Sequence, residues 1–140
     1  MANRYILQYS TSNASVGTNG VIVLTAGASA GLTIVSCDLT LTGLGSGVLT
    51  IGEVNSVVGG YATLALPTVD GSPATSATAV FAPTGWGGAS GTYGGEWGLT
   101  APITAPINFA PYPLTIGPSR SLMFQVTGSY AAYLNVFFEE

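Results

Sequence analysis

The sharpest alternation in the chain runs from Val35 to Thr42. Val35, Cys37, Leu39 and Leu41 alternate with Ser36, Asp38, Thr40 and Thr42. A period of two sets the first group on a core face and the second in water or at an interface. Leu32 and Ile34 stand in the opposite phase, which predicts a bulge or twist near Ile34–Val35. At the far end, Leu134, Val136 and Phe138 oppose Tyr133, Asn135 and Phe137. Phe137 is then apolar on the nominally outer face, and a covered surface is expected there.

Other strand-like runs are Arg4 to Ser10, Val21 to Leu24, Val48 to Glu53, Tyr61 to Leu66, Thr78 to Phe81, Pro113 to Ile116 and Ser121 to Thr127. Turn chemistry separates them. Asn19-Gly20 is the preferred pair of a tight hairpin, so the first two runs are expected to pair. Gly43 to Gly47, Asn55 to Gly60, Asp70-Gly71 and Gly117-Pro118-Ser119 read as further turns. No stretch sustains a helical period. About eight strands at this spacing predict an all-β fold, an antiparallel β-sandwich of jelly-roll type. One domain over 1–140 fits the length.

Regularity stops in one long Gly/Pro/aromatic loop over 82–112. It carries Trp86, Tyr93, Trp97, Phe109 and Tyr112 among many glycines, with Pro102, Pro106 and Pro111 beyond. Loops of this length in compact domains are functional or disordered as a rule, and the aromatics here want burial. They could lie flat beneath a sugar ring, fill a neighbour's pocket as interface anchors, or roof the end of the sandwich.

Composition narrows what such a fold can do. Charged residues make up 6% of the chain, against about a quarter in ordinary domains. A free monomer normally keeps its surface charged to stay apart from its copies. Here the surface must be hydroxyls, amides, glycine and apolar atoms, so self-association or a covering partner is expected. The formal charge is −4, with Arg4 and Arg120 as the two cations. Two distant arginines cannot neutralise the several phosphates that nucleic acid presents, and anionic membranes are excluded on the same ground. Met1-Ala2-Asn3-Arg4 followed by Tyr5 to Tyr9 is too thin for a signal peptide, so synthesis in the cytoplasm is expected.

The inventory also argues against catalysis and cofactors. Without histidine or lysine, a serine nucleophile has no base and no Gly-x-Ser-x-Gly elbow to stand on. Among the interior carboxylates, Asp38 falls on an outward strand face, Glu53 ends a strand and Asp70 sits in a turn. Glu96, between Gly95 and Trp97, has no evident carboxylate partner. Zinc and copper sites need His and Cys sets that are missing. Asp70-Gly71-Ser72 offers one carboxylate where calcium wants a spaced acidic set. Cys37, the single cysteine, reads as a small buried hydrophobe. The expectation is a non-enzymatic protein with no metal and no cofactor.

A strand–glycine turn–strand start and a Gly-rich middle lead to Pro113-Leu114-Thr115-Ile116-Gly117-Pro118-Ser119-Arg120-Ser121-Leu122 and an aromatic last strand. This layout resembles small β-sandwich virion proteins of tailed bacteriophages, especially capsid decoration (cement) proteins and some tail or head-fibre accessory domains. The resemblance implies a trimer or similar homo-oligomer on the outer capsid surface, bridging neighbouring major capsid subunits after head expansion. The near absence of charge departs from salt-bridge docking, so apolar contact and strand-edge hydrogen bonding are expected instead. Trp86, Tyr93, Trp97 and Tyr112 are the expected contact residues, with Arg4 and Arg120 setting register. Two alternatives stay open: a carbohydrate-binding β-sandwich module of a fibre or secreted protein, and a capsid-forming jelly roll.

Overall fold

A computed structural model of the chain describes residues 3–11, 21–58, 62–81, 85–107, 114–128 and 131–140. Every regular element among them is a strand: β1 (Arg4–Thr11), β2 (Val21–Thr25), β3 (Leu32–Val58), β4 (Ala62–Leu64), β5 (Thr78–Phe81), β6 (Gly85–Ile107), β7 (Leu114–Ile116), β8 (Ser121–Gly128) and β9 (Ala131–Glu139). All pairings are antiparallel. The protein is all-β.

The ladder runs β1-β9-β3-β8-β2-β5-β4, with β6 and β7 also paired to β3. β3 is the organising element. Its first part lies against β9 from Thr33 to Thr42, and its later part against β8 from Gly47 to Val54. Just past β4 the chain returns to β1: the Ile6 amide donates to the Pro67 carbonyl (3.1 Å) and the Val69 amide to the Arg4 carbonyl (3.0 Å). Four chain segments, 67–69, β1, β9 and β3, thus lie side by side.

The predicted phase break is real. The β3–β9 register shifts between Ile34 and Ser36, so Ile34 and Cys37 both point inward although three residues apart. Val35 is the bulged residue. It is 54% exposed, not buried with Cys37, Leu39 and Leu41 as strict alternation predicts.

Three other expectations are corrected. β1 and β2 do not form a hairpin: β1 pairs with β9, and β2 sits between β8 and β5. Residues 12–20, which hold Asn19-Gly20, lie outside the described residues. Gly43 to Gly47 is not a turn, because β3 runs through it with a register shift between Leu41 and Gly45; glycines tolerate such irregularity inside a strand. The stretch expected to be an irregular loop over 82–112 contains β6, which pairs with β3 from Ile107 opposite Cys37 to Gly85 opposite Val58. A β-branched partner strand supplies the ladder that a glycine-rich sequence does not advertise by itself.

The core draws on both parts of the ladder. Tyr5 and Leu7 of β1, Leu134, Val136 and Phe138 of β9, and Ile34, Leu39 and Leu41 of β3 pack in one cluster with Ile22, Leu24, Leu49, Ile51, Leu122 and Phe124. Burying each large side chain contributes about 1.5–3 kcal/mol. Tyr5 and Phe138 are register partners with ring centroids 5.3 Å apart, and the Tyr5 hydroxyl donates to the Pro73 carbonyl at 2.8 Å. Val23 and Met123, opposite each other in register, are also buried. The continuous apolar run Val21-Ile22-Val23-Leu24 suits a strand covered on both faces.

Candidate functional site

The bulge at Val35 borders a concavity among the described residues. It is an apolar groove of about 320 Å³ lined by Arg4, Tyr5, Val35, Ser36, Val69, Phe137 and Phe138. It crosses the four side-by-side segments rather than following one strand. The register explains its makeup. Ile6, Phe137 and Ser36 form one row across β1, β9 and β3, and Arg4, Glu139 and Thr33 form the next outward-facing row. The extra residue of the bulge leaves Val35 standing beside Phe137, and Val69 enters from the far side beyond β1. Val35 and Val69, at 54% and 50%, are among the most exposed large apolar side chains, together with Tyr133 on the same strand as Phe137.

Arg4 sits at the rim. Its Nε donates to Glu139 Oε1 at 3.0 Å, between directly opposed residues of β1 and β9. The guanidinium is largely exposed, and such a pair contributes about 0–1 kcal/mol. Beside it, Asp70 makes a short turn with Gly71 at a φ of 76°. The Ser72 hydroxyl, donating to Asp70 Oδ1, holds that carboxyl below its usual range, helped by the Ser72 amide and the Arg4 charge.

Arg120 is placed at a different point of the fold. It follows the turn Gly117-Pro118-Ser119, closed by its own amide donating to the Gly117 carbonyl at 3.3 Å. Ser119 adopts a φ of 60° there, a position for which glycine is the usual residue. The Arg120 Nε donates to Glu53 Oε1 on β3. Glu53 is the buried partner, its side chain 10% exposed against 58% for Arg120. A third carboxylate, Glu140, receives the Thr75 hydroxyl at 2.9 Å, the Ser76 amide at 3.1 Å and the Ser76 hydroxyl at 2.7 Å. Partial burial pushes the Glu140 carboxyl up, but the bonds from Ser76 and Thr75 together outweigh it and hold the group below its ordinary value.

The aromatic residues expected to make contacts are distributed along one strand. Trp86, Tyr93 and Trp97 all lie on β6, opposite Val57, Gly52 and Leu49 of β3. β6 pairs with β3 alone among the described strands. Tyr112 lies outside the described residues. Arg4 and Arg120 are not brought together; each is engaged by a glutamate of its own chain. Cys37 is buried, and its thiol is pushed up to about 12 by burial first and the Asp38 charge second, which leaves no thiolate at neutral pH. Among the described residues no three His, Cys, Asp or Glu side chains gather as metal ligands would.

No protein family, curated protein or solved structure matches this chain. The functional reading therefore rests on the chemistry of its surface.

Sequence reasoning singled out Phe137 as an apolar residue facing outward, and it lines the groove. It missed Val35 and Val69. The phase break at Ile34–Val35 carried the signal for the first: a bulged residue leaves the inward set. Nothing local marks Val69, whose place depends on residues 67–69 returning to β1.

Proposed function

We propose that this chain is a non-enzymatic structural protein of a virion. In this reading it is a capsid decoration protein that self-associates into a small closed oligomer and braces neighbouring major capsid subunits on the outer surface of a phage head. The carrying observation is the surface balance. Both cations are engaged within the chain, while Val35, Val69 and Tyr133 stand exposed on a protein with 6% charged residues. Such a surface gains by being covered. The sharing of β3 between β9 and β8, with one core fed from both parts, supports the sandwich architecture that the resemblance implies.

The test is the solution mass by light scattering at about 50 mM and about 1 M salt; screening reaches only exposed charges. A closed oligomer unchanged by salt is expected. Co-sedimentation with expanded tailed-phage heads lacking decoration then tests docking. A monomer at both salts that binds a glycan array, and loses that binding in Trp97→Ala, would replace this reading by a carbohydrate-binding module. Shell-sized particles would replace it by a capsid-forming jelly roll.

A further inference from the structure

We propose that the Val35–Phe137 groove is a two-fold contact between two copies of this chain, with Arg4 of each copy paired to Glu139 of the other. The inference deepens the self-association reading and rests on it. Its ground is that this face is complementary to itself.

The four segments run in the order 67–69, β1, β9, β3. A two-fold axis lying in the face, parallel to the strands and midway between β1 and β9, exchanges β1 with β9 and 67–69 with β3. In a contact of this kind, if one residue meets a second, the second meets the first. The two rows that span all four segments then meet their chemical complements. Arg4 falls over Glu139 of the other copy, a cation over an anion. Ile6 falls over Phe137, apolar over apolar, because the two are register partners. Val69 falls over the Thr33 to Val35 stretch, so the two half-exposed valines cover each other. In the next row Gln8 falls over Asn135, amide over amide, since they too are partners, and Asp38, the β3 residue of that row, lies one row past Pro67. An axis between β9 and β3 would instead set Glu139 over Thr33 and leave Arg4 unmatched.

The charges select the occupant. A partner with one dominant sign would be attracted by one member of the Arg4–Glu139 pair and repelled by the other. A second copy, rotated by half a turn, satisfies both. Three strand spacings by about eight residues give a face of about 400 Å² per copy. Two such faces bury about 800 Å², below the standard size of a specific interface, so a weak, transient dimer is expected rather than a permanent one.

The experiment is sedimentation velocity over about 1–200 μM on the full chain and three variants. The unmodified protein is expected to reach the mass of two chains. Val35→Asp, at an exposed bulge that the core does not use, is expected to weaken association at least tenfold with the urea midpoint unchanged. Arg4→Glu and Glu139→Arg should each stay monomeric alone, since each sets like charges across the axis. Mixed in equal amounts they should associate, because every cross-copy pair is then opposite in sign while the pair within each chain remains repulsive. Three chains per particle, or two chains insensitive to Val35→Asp with no rescue on mixing, would overturn the groove contact and leave self-association standing. A monomer throughout would overturn both.

Discussion

Replacing Arg120 by methionine tests whether the chain's partly buried ion pair stabilises the fold. Methionine keeps most of the aliphatic stem and leaves the backbone bonds of residue 120 in place, the amide to Gly117 and the carbonyl receiving the Ala26 amide. What goes is the guanidinium donating to Glu53 Oε1. Breaking a fully buried pair costs about 3–5 kcal/mol, and a hydrogen bond to a charged group contributes about 1.5–3 kcal/mol. Here only the Glu53 side is buried, at 10% exposure against 58% for Arg120. Water already solvates the arginine and can approach the carboxylate from that side. The expected loss is therefore about 1–2 kcal/mol. With a urea slope of about 2 kcal/mol/M, the midpoint should fall by about 0.5–1 M. Glu53→Gln and the double variant complete a cycle, and a coupling of about 1 kcal/mol between the sites is expected. A loss below about 0.3 kcal/mol for Arg120→Met, or strictly additive effects, would refute the reasoning and make Arg120 a solvated surface charge.

Four further outcomes follow from the same structure. Gly31→Ala would drive a Cβ into the Ile116 carbonyl oxygen, where backbone cannot step aside, and is expected to cost about 1–3 kcal/mol in urea unfolding. Ser119→Gly removes a side chain from a φ of 60° and should stabilise by about 0.5–1 kcal/mol in the same assay. Glu140 has a depressed pKa in the fold, so its contribution is present above its unfolded value of 4.5 and lost as pH falls through the folded one; Glu140→Gln should flatten the acid limb of stability against pH. Cys37 has a raised pKa, so its contribution is intact below the unfolded value of 9.0 and lost as pH rises toward about 12; a thiol reagent at pH 8 should label it only on unfolding.

How far the sequence carried the structure depends on whether each signal was local. The alternation of Leu134, Val136 and Phe138, and of Cys37, Leu39 and Leu41, set the buried faces correctly, because side-chain direction in a strand follows from the residue count alone. The break before Val35 was readable for the same reason. Pairing was not. Asn19-Gly20 promised a local hairpin, yet β1 pairs with β9, its partner furthest away in the chain. A glycine-rich stretch such as Gly85–Ile107 has little strand preference of its own, and its ladder comes from β3. The groove was legible only in part: Phe137 was visible as an outward apolar residue, whereas Val69 reaches the site through backbone bonds from 67–69 to β1.

The few charges of this chain are placed where local pattern gives no guidance. Arg4–Glu139, Arg120–Glu53 and the Glu140 bonds to Thr75 and Ser76 join residues 135, 67 and 64 to 65 positions apart. Each ties an element to one it could otherwise slide past or miss: β1 to β9, the 117–120 turn to β3, and the 75–77 segment to the end of β9. In a chain of hydroxyls and β-branched residues, many strand registers bury similar apolar area, and a one-residue slip exposes the whole inward set. An ion pair of modest strength can still decide between such registers, since a slip would leave Glu53 buried away from Arg120. The charges thus help select the fold, and the outer face of β1, β9 and β3 is left with Asp38 and one opposed pair, Arg4–Glu139, at its rim. A face so poor in charge is the one we propose to be covered by a second copy.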